Sequence, residues 1–400
     1  MKETSVPFNV PEKGTNRNPG NAIRRRSFLK RAGISVAALP VAGLLKADDS
    51  MRPTKGDVAI LKLLAAAEII ETDLWLQYSE LGGTQDKEVS GENGGNDLYM
   101  GALQILDGDM PQYIHDNTDD EKSHASFLNK YLMSIGEDPV SLEQFRRLPS
   151  SQASGADKDA KRLTNLTQLT VDTTFWSRYR SITNPDFDPG AKFAQAVPSL
   201  AVGQHTAIPR SDADTAGSFL SDDNTKSITP FLQAIAFTAG FHFAFIEQGG
   251  TSLYATLAQK VTSLEVLRIL LSIGGAEIMH FQTWQDKAGN ALPLTNVVDP
   301  MTRVTVSFAD LTKAKGETSP ESLNGDTLQA NLIMPEPTHF LNQQLGPVAI
   351  IRPTSTNNSG AMAAIKGFQN DGLFIGQRQD FLQFVFELAE QADAAYREID

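Results

Sequence analysis

A carboxylate and an imidazole on the apolar face of a helix constrain a chain severely, because neither group tolerates burial without a partner. This chain carries that pattern twice. In the run Leu271-Ser-Ile-Gly-Gly-Ala-Glu277-Ile-Met-His280-Phe-Gln-Thr-Trp284, Glu277 and His280 are three residues apart. At 3.6 residues per turn they share a face with Leu270, Gly274, Phe281 and Trp284. The same spacing occurs at Glu121-Lys-Ser-His124, on a face with Asn117, Leu128 and Tyr131. One Glu-x-x-His arises easily by chance. Two on apolar faces, in a chain with 6 histidines, point to a helical bundle that aims its ligands inward.

Such a bundle needs two further carboxylates, and the helical pattern supplies them. A first helix capped by Asp57 and ending near Gly82-Gly83 puts Leu61, Leu64, Glu68, Glu71, Trp75 and Tyr78 on one face. After a short helix over 97–106, the second long helix starts at Asp109 with Pro111 in its first turn and stops at Gly136. Thr229-Pro230 opens a third that is apolar nearly all round, as a buried element must be, with Glu247, Gly250 and Tyr254 on one face and a kink expected at Gly249-Gly250. Ser263 caps the fourth, which ends at Gly289. Glu68 has Trp75 seven residues on, Glu247 has Tyr254 seven residues on, and each of these helices precedes one bearing Glu-x-x-His.

The resulting twofold repeat predicts a ligand set of Glu68, Glu121, His124, Glu247, Glu277 and His280. Glu71, Trp75 and Tyr254 are candidates for supporting it. Glu71 competes with Glu68 as ligand, and the aromatic at plus seven favours Glu68. Four ionised carboxylates in a core would repel one another and each lose several kcal/mol of solvation, whereas two divalent cations neutralise them. Oxygen and nitrogen donors suit two iron or manganese ions. With 0 cysteines, thiolate ligation, disulfides and a cysteine nucleophile are excluded. His115, His205, His242 and His339 lack a carboxylate at useful spacing and read as structural or surface residues.

Connection lengths support the same fold. About 27 residues join the first long pair, a few join the second, and about 90 separate the pairs, which is the long crossover of a ferritin-like bundle and not a simple up-down one. The predicted organisation is a signal segment at 1–47, a first helix pair at 48–136, a crossover or insertion at 137–228, a second helix pair at 229–289 and an irregular extension at 290–400. The crossover is Ser-, Asp-, Gly- and Pro-rich with one helix expected around 161–180. In the extension, 303–308 and 348–352 read as strands and 377–397 as a final helix that docks on the bundle.

Arg24-Arg25-Arg26-Ser27-Phe28-Leu29-Lys30 precedes an uncharged run over 32–45, the pattern of a twin-arginine export signal. Fourteen apolar residues are too few for the roughly 20 that span a bilayer. An exported protein, periplasmic or extracellular, is expected, with no stable membrane span once the signal is removed and a membrane anchor if it is retained. Residues 1–47 hold 9 of the 35 basic residues and 2 of the 48 acids, leaving 26 against 46, or −20, for the rest. That surface charge excludes nucleic acid as a partner.

The motifs resemble those of the ferritin-like domain family that includes secreted bacterial ferritin-like proteins and plant desiccation-related proteins. Ala67-Glu68-Ile-Ile-Glu71-Thr-Asp-Leu-Trp75 is similar to that family's L-E-x-x-E-x-x-F-Y, with Trp75 in place of Tyr. Glu121-x-x-His124-x-x-Phe127-Leu128 and the following M-S-I-G-E-D-P resemble its second helix. Ile246-Glu247-x-x-Gly250-x-x-x-Tyr254 and Glu277-x-x-His280 resemble its third and fourth, with Phe281 where Ala is usual. The resemblance implies a mainly α, di-metal carboxylate fold. The expected function is an exported di-iron or di-manganese protein, an oxidoreductase if catalytic, with dioxygen or peroxide as small-molecule substrates and homo-oligomers as a possible state. The alternative is a non-enzymatic stress- or desiccation-related envelope protein that uses the bundle as a structural or binding module.

Overall fold

Four long helices build the interior; three begin at a capping side chain, Thr54, Thr229 or Ser263, while Asp109 precedes the other without a capping hydrogen bond. In this computed structural model, residues 52–89, 94–178, 194–220, 226–311 and 360–398 are described. The export signal at 1–47, the strand expected at 348–352 and His339 lie outside them. Helix α1 is Lys55–Gly82, α2 is Asp97–Leu103 and α3 is Met110–Ser134. A short α4, Thr174–Arg178, lies in the insertion; α5 is Pro230–Ala258 and α6 Leu264–Ala288. Helices α7, Ala361–Asp371, and α8, Gln379–Asp393, follow in the extension. The fold is mainly helical, a ferritin-like bundle with an irregular C-terminal extension.

Helix α1 packs along α3, and α5 along α6. The inner face of α1 that the sequence marks, from Leu61 to Tyr78, is buried throughout, but so is most of its outer face. The reason is that α8 covers it, seating Phe381, Val385 and Leu388 in the same core. Helix α5 is buried on nearly all sides, as its uninterrupted apolar sequence requires. The helical hydrogen bonding of α5 continues through Gly249-Gly250, so the two glycines do not end the helix.

The first cap differs from expectation. Thr54, not Asp57, is the N-cap of α1; Asp57 occupies the third helical position and closes a capping box. Its carboxylate accepts from the Thr54 backbone N at 2.8 Å and also from the backbone N of Thr262 at 2.8 Å and of Ser263 at 3.1 Å. One buried carboxylate thus fixes the starts of α1 and α6 together. Thr229 and Ser263 cap α5 and α6 as the sequence indicates.

The insertion contains no helix over 161–173. Lys161–Arg162 instead pairs as β2 with β1, Leu148–Pro149, and the chain to 173 is irregular. Side chains on the outer face of α1 account for this. The Asp73 carboxylate accepts from the backbone N of Leu163 and Thr164, both at 2.9 Å, competing with helical hydrogen bonds there. Arg146 pairs with the same carboxylate, and Arg162 pairs with buried Glu80 at 2.6 Å. Strands β3, Phe219–Leu220, and β4, Lys226–Ser227, form another short pair.

In the extension, the strand expected at 303–308 is β6, Thr305–Phe308, and its partner β5, Leu294–Val298, was not anticipated. Asn296, at φ 51°, sits in the irregularity between the Leu294↔Phe308 and Val297↔Val306 pairs, which obscures the alternation. The single final helix expected over 377–397 begins at Gln379 and is preceded by α7, separated from it by Gly372 at φ 96°. Among the described residues no helix is long and apolar enough to cross a membrane.

Replacing Asp57 removes both the capping box and the tie to α6. Asp57→Ala is expected to lower stability by about 2–3 kcal/mol, read as a shift in the urea midpoint at unchanged native helical content.

Candidate metal centre

Helices α1, α3, α5 and α6 bring the six predicted side chains into one buried cluster. Glu68, Glu121, His124 and Glu277 each offer a donor atom within 4.8 Å of the others, and so do Glu121, Glu247, Glu277 and His280. The two groups share Glu121 and Glu277. Nδ1 of His124 lies 3.3 Å from Glu68, 3.2 Å from Glu121 and 3.5 Å from Glu277. Nδ1 of His280 lies 3.1 Å from Glu121 and 3.2 Å from Glu247. Glu121 therefore faces one imidazole with each oxygen. Glu71 is buried beside the cluster but belongs to neither group.

Orientation comes from a surrounding set of hydrogen bonds. The Tyr254 hydroxyl donates to Oε1 of Glu68. Asn117 donates from Nδ2 to Glu121 at 2.9 Å and to Glu247 at 3.1 Å, while its Oδ1 accepts from Nε1 of Trp284 at 2.7 Å. Trp75 makes no such bond; it stacks on Trp284, centroids 5.3 Å apart. Nε2 of His280 lies 3.1 Å from the half-exposed carboxylate of Asp120. Donation to Asp120 leaves the Nδ1 lone pair aimed inward, the tautomer a metal ligand needs.

Gly250 has a steric role. A Cβ at that position would stand 2.4 Å from Oε2 of Glu277, so only glycine leaves that carboxylate room. Asn117 was visible in the sequence as one residue of an inner face, four before Glu121, but its bonds to two helices were not. Asp120 and Gly250 carried no signal of their roles, since both act across helices.

Electrostatics test whether a cation suits the site. Burial, reinforced by the charge of Glu121, pushes Glu68 up to about 7. Burial raises Glu277 and Glu71 well above the ordinary carboxylate range, with the neighbouring carboxylates adding to it, and also raises Glu247. Against the cost of burial, hydrogen bonds with His124 and His280 hold Glu121 below that range. Both imidazoles, despite burial, are raised by the facing carboxylates. Oε2 of Glu68 and both oxygens of Glu277 accept no hydrogen bond, although His124 stands within ion-pairing distance. Buried oxygens aimed at one another without donors, flanked by imidazole nitrogens, fit hard divalent cations.

Other histidines do have carboxylate partners, brought by the fold from far along the chain. His242 lies 2.8 Å from Asp371 and His115 3.1 Å from Asp86, which corrects the expectation that neither has one. His205 is structural, with Nε2 at 2.9 Å from the Ser199 carbonyl. Asp86, Glu88 and His115 form a third group of potential donors, with Glu88 exposed.

Raised carboxyls and raised imidazoles have the same consequence for the metal-free protein: folded, it holds more protons than unfolded. Each contribution is complete below the unfolded pKa and is lost as pH rises through the folded one. Glu121 works oppositely, but only below its ordinary 4.5. The metal-free protein is thus expected to lose thermal stability between about pH 5 and pH 8, and saturating divalent metal, which binds the deprotonated ligands, to reverse that trend in calorimetry.

No curated protein and no solved structure matches the chain. The family model of the ferritin-like domain matches residues 56–289, more than half of its length, taking in all four bundle helices and the whole ligand cluster. The chain belongs to the ferritin-like domain family.

Proposed function

We propose that the bundle interior holds two transition-metal ions, iron or manganese, and that the protein is an exported oxidoreductase acting on dioxygen or a peroxide. The observation that carries this reading is the pair of donor groups with Glu121 and Glu277 in common. One ion would be held by Glu68 and His124, the other by Glu247 and His280, with the shared carboxylates between them. Bound there, iron or manganese supplies one-electron redox chemistry.

The chain's own residues do the rest. Tyr254, Asn117 and Asp120 fix the ligands before any ion arrives, which limits the reorganisation that redox change demands. The four cluster carboxylates are at most 1 % exposed, whereas His124 and His280 are each 9 % exposed. Solvent therefore approaches from the imidazole side, where α3 and α6 meet, and a small oxidant fits that route better than an extended substrate. Export through the twin-arginine route, which carries folded proteins, accords with a metal acquired before transport.

Reconstituted protein is expected to contain two iron or manganese ions per chain by mass spectrometry, and to consume peroxide with turnover lost in Glu277→Ala. Fewer than about one ion per chain would refute the reading. A milder variant probes the glycine: Gly250→Ala should weaken metal binding about 10–100-fold while the melting temperature of the metal-free protein changes little, since it displaces Glu277 without removing it.

A further inference from the structure

Among the described residues the C-terminal extension adds no donor to the cluster, yet it reaches the bundle core at one point. Asp371, the last residue of α7, is 2 % exposed, and its Oδ2 lies 2.8 Å from Nε2 of His242 on α5. Nδ1 of His242 lies 2.7 Å from the hydroxyl of Tyr78 on α1. His242 and Tyr78 are both fully buried. The hydroxyl has no other acceptor among the described residues, so it donates to Nδ1, and a neutral imidazole then carries its proton on Nε2, donated to Asp371. Burial holds the Tyr78 phenol well above its ordinary value, so the proton stays on oxygen at rest.

A continuous line of rings joins this trio to the metal centre. Tyr78 and Trp75 have centroids 5.7 Å apart, and Trp75 stacks on Trp284 at 5.3 Å. Nε1 of Trp284 donates to Asn117, which donates to Glu121 and Glu247. Phe243 packs against all three rings, at 4.6 Å from Tyr78, 4.9 Å from Trp75 and 4.7 Å from Trp284, and keeps water out. The members differ in one respect. Nε1 of Trp75 has no acceptor, and that of Trp284 faces an amide oxygen, which is not a base. Tyr78 alone has a base waiting for its proton. Oxidation can pass through the tryptophans but is trapped at the tyrosine.

We propose that Tyr78 is a redox-active residue, oxidised by one electron through Trp75 and Trp284, with His242 receiving its proton and Asp371 holding the imidazole for it. Iron or manganese held by the carboxylate centre would, in an oxidised state, supply the acceptor for that electron. The phenolic O–H bond breaks, the proton passes to Nδ1 of His242, and a neutral phenoxyl radical is left beside an imidazolium paired with Asp371. The terminal oxidant is a peroxide from solution, which takes two electrons and, from solvent, two protons to become two waters. After each one-electron event an external one-electron reductant returns an electron to buried Tyr78 along the same rings and Nδ1 of His242 returns the proton, so two such cycles account for one peroxide. Asp371 is a positioning residue that sets the tautomer of His242. The source of oxidation rests on the metal reading above, while the ring path and proton acceptor do not.

The test uses the full chain, loaded with iron(II) or manganese(II), its metal content measured, then mixed with hydrogen peroxide and freeze-quenched for electron paramagnetic resonance. A radical signal that narrows on ring-deuteration of tyrosine is expected. It should vanish in Tyr78→Phe and fall sharply in Asp371→Asn, where the imidazole is no longer held with Nδ1 free, with metal content and circular dichroism as in wild type. No tyrosyl signal from loaded wild-type protein, or one that survives in Tyr78→Phe, overturns the proposal. A protein that takes up no metal refutes the proposed function instead. The relay is then judged on the metal-free chain by flash oxidation with photogenerated ruthenium(III) tris-bipyridine. A long-lived tyrosyl component absent from Tyr78→Phe upholds it, and identical decay in the two proteins overturns it.

Discussion

The bundle is built around buried acids that, among the described residues, meet imidazoles and one another but no lysine or arginine. Helix α1 shows this within one element. Its outer face buries Asp73 and Glu80, and each meets an arginine: Arg146 for Asp73, Arg162 for Glu80. Its inner face also buries Glu68 and Glu71, and there the charged neighbours are further carboxylates and, beside Glu68, the imidazole of His124. A fold able to pair buried acids with arginine on one side gives them only imidazole and further carboxylates on the other. Replacing buried ion pairs by apolar residues is often neutral or stabilising, so structure alone gives no reason to keep an acidic interior. The proposed pair of cations would supply one.

The remaining parts of the chain hold that interior in place. The insertion binds the outer face of α1 through Asp73 and Glu80, and Asn165 in it donates its backbone N to the Leu373 carbonyl at 2.8 Å. Arg210 joins the insertion to the extension by pairing with both Asp214 and Asp299. Helix α8 covers α1 directly. A ligand helix clamped on its outer side cannot relax away from its neighbours, so repulsion among the inner carboxylates is met by a rigid frame and not by expansion.

The helices and their inward-facing carboxylates and imidazoles are legible in the sequence because the signals are local: a cap, a stop, a carboxylate and imidazole three residues apart, an apolar face. What was hidden depends on contacts between distant segments. Asp57 looks like a cap until Thr54 is seen to precede it and Thr262 and Ser263 are seen to share its carboxylate. Residues 161–173 have a composition that tolerates a helix, but their backbone N–H groups are taken by distant partners: Leu163 and Thr164 by Asp73, Asn165 by Leu373, Leu169 by His205, Thr170 by Asp371 and Val171 by Leu200. His242 has no acid nearby in sequence because its partner is 129 residues away. Gly250 reads as a helix breaker until Glu277 is placed against it.

The repeat that reveals the centre is also broken in an informative way. Glu68 with Trp75 corresponds to Glu247 with Tyr254, and Tyr254 crosses the bundle to donate to Glu68. By the same symmetry Trp75 should donate to Glu247, but its Nε1 has no partner. Asn117 donates to Glu247 in its place, and Trp284 supports Asn117. The equivalents of these two residues in the other half are Ile273 and Leu128, which can do neither. A hydroxyl thus steadies one side of the cluster and an amide the other, so two ions held there would have unlike surroundings. The asymmetry has a further effect: with a tryptophan in place of tyrosine at 75, an aromatic stack replaces a hydrogen bond. That stack is what connects the acidic interior to Tyr78, and through His242 to the extension.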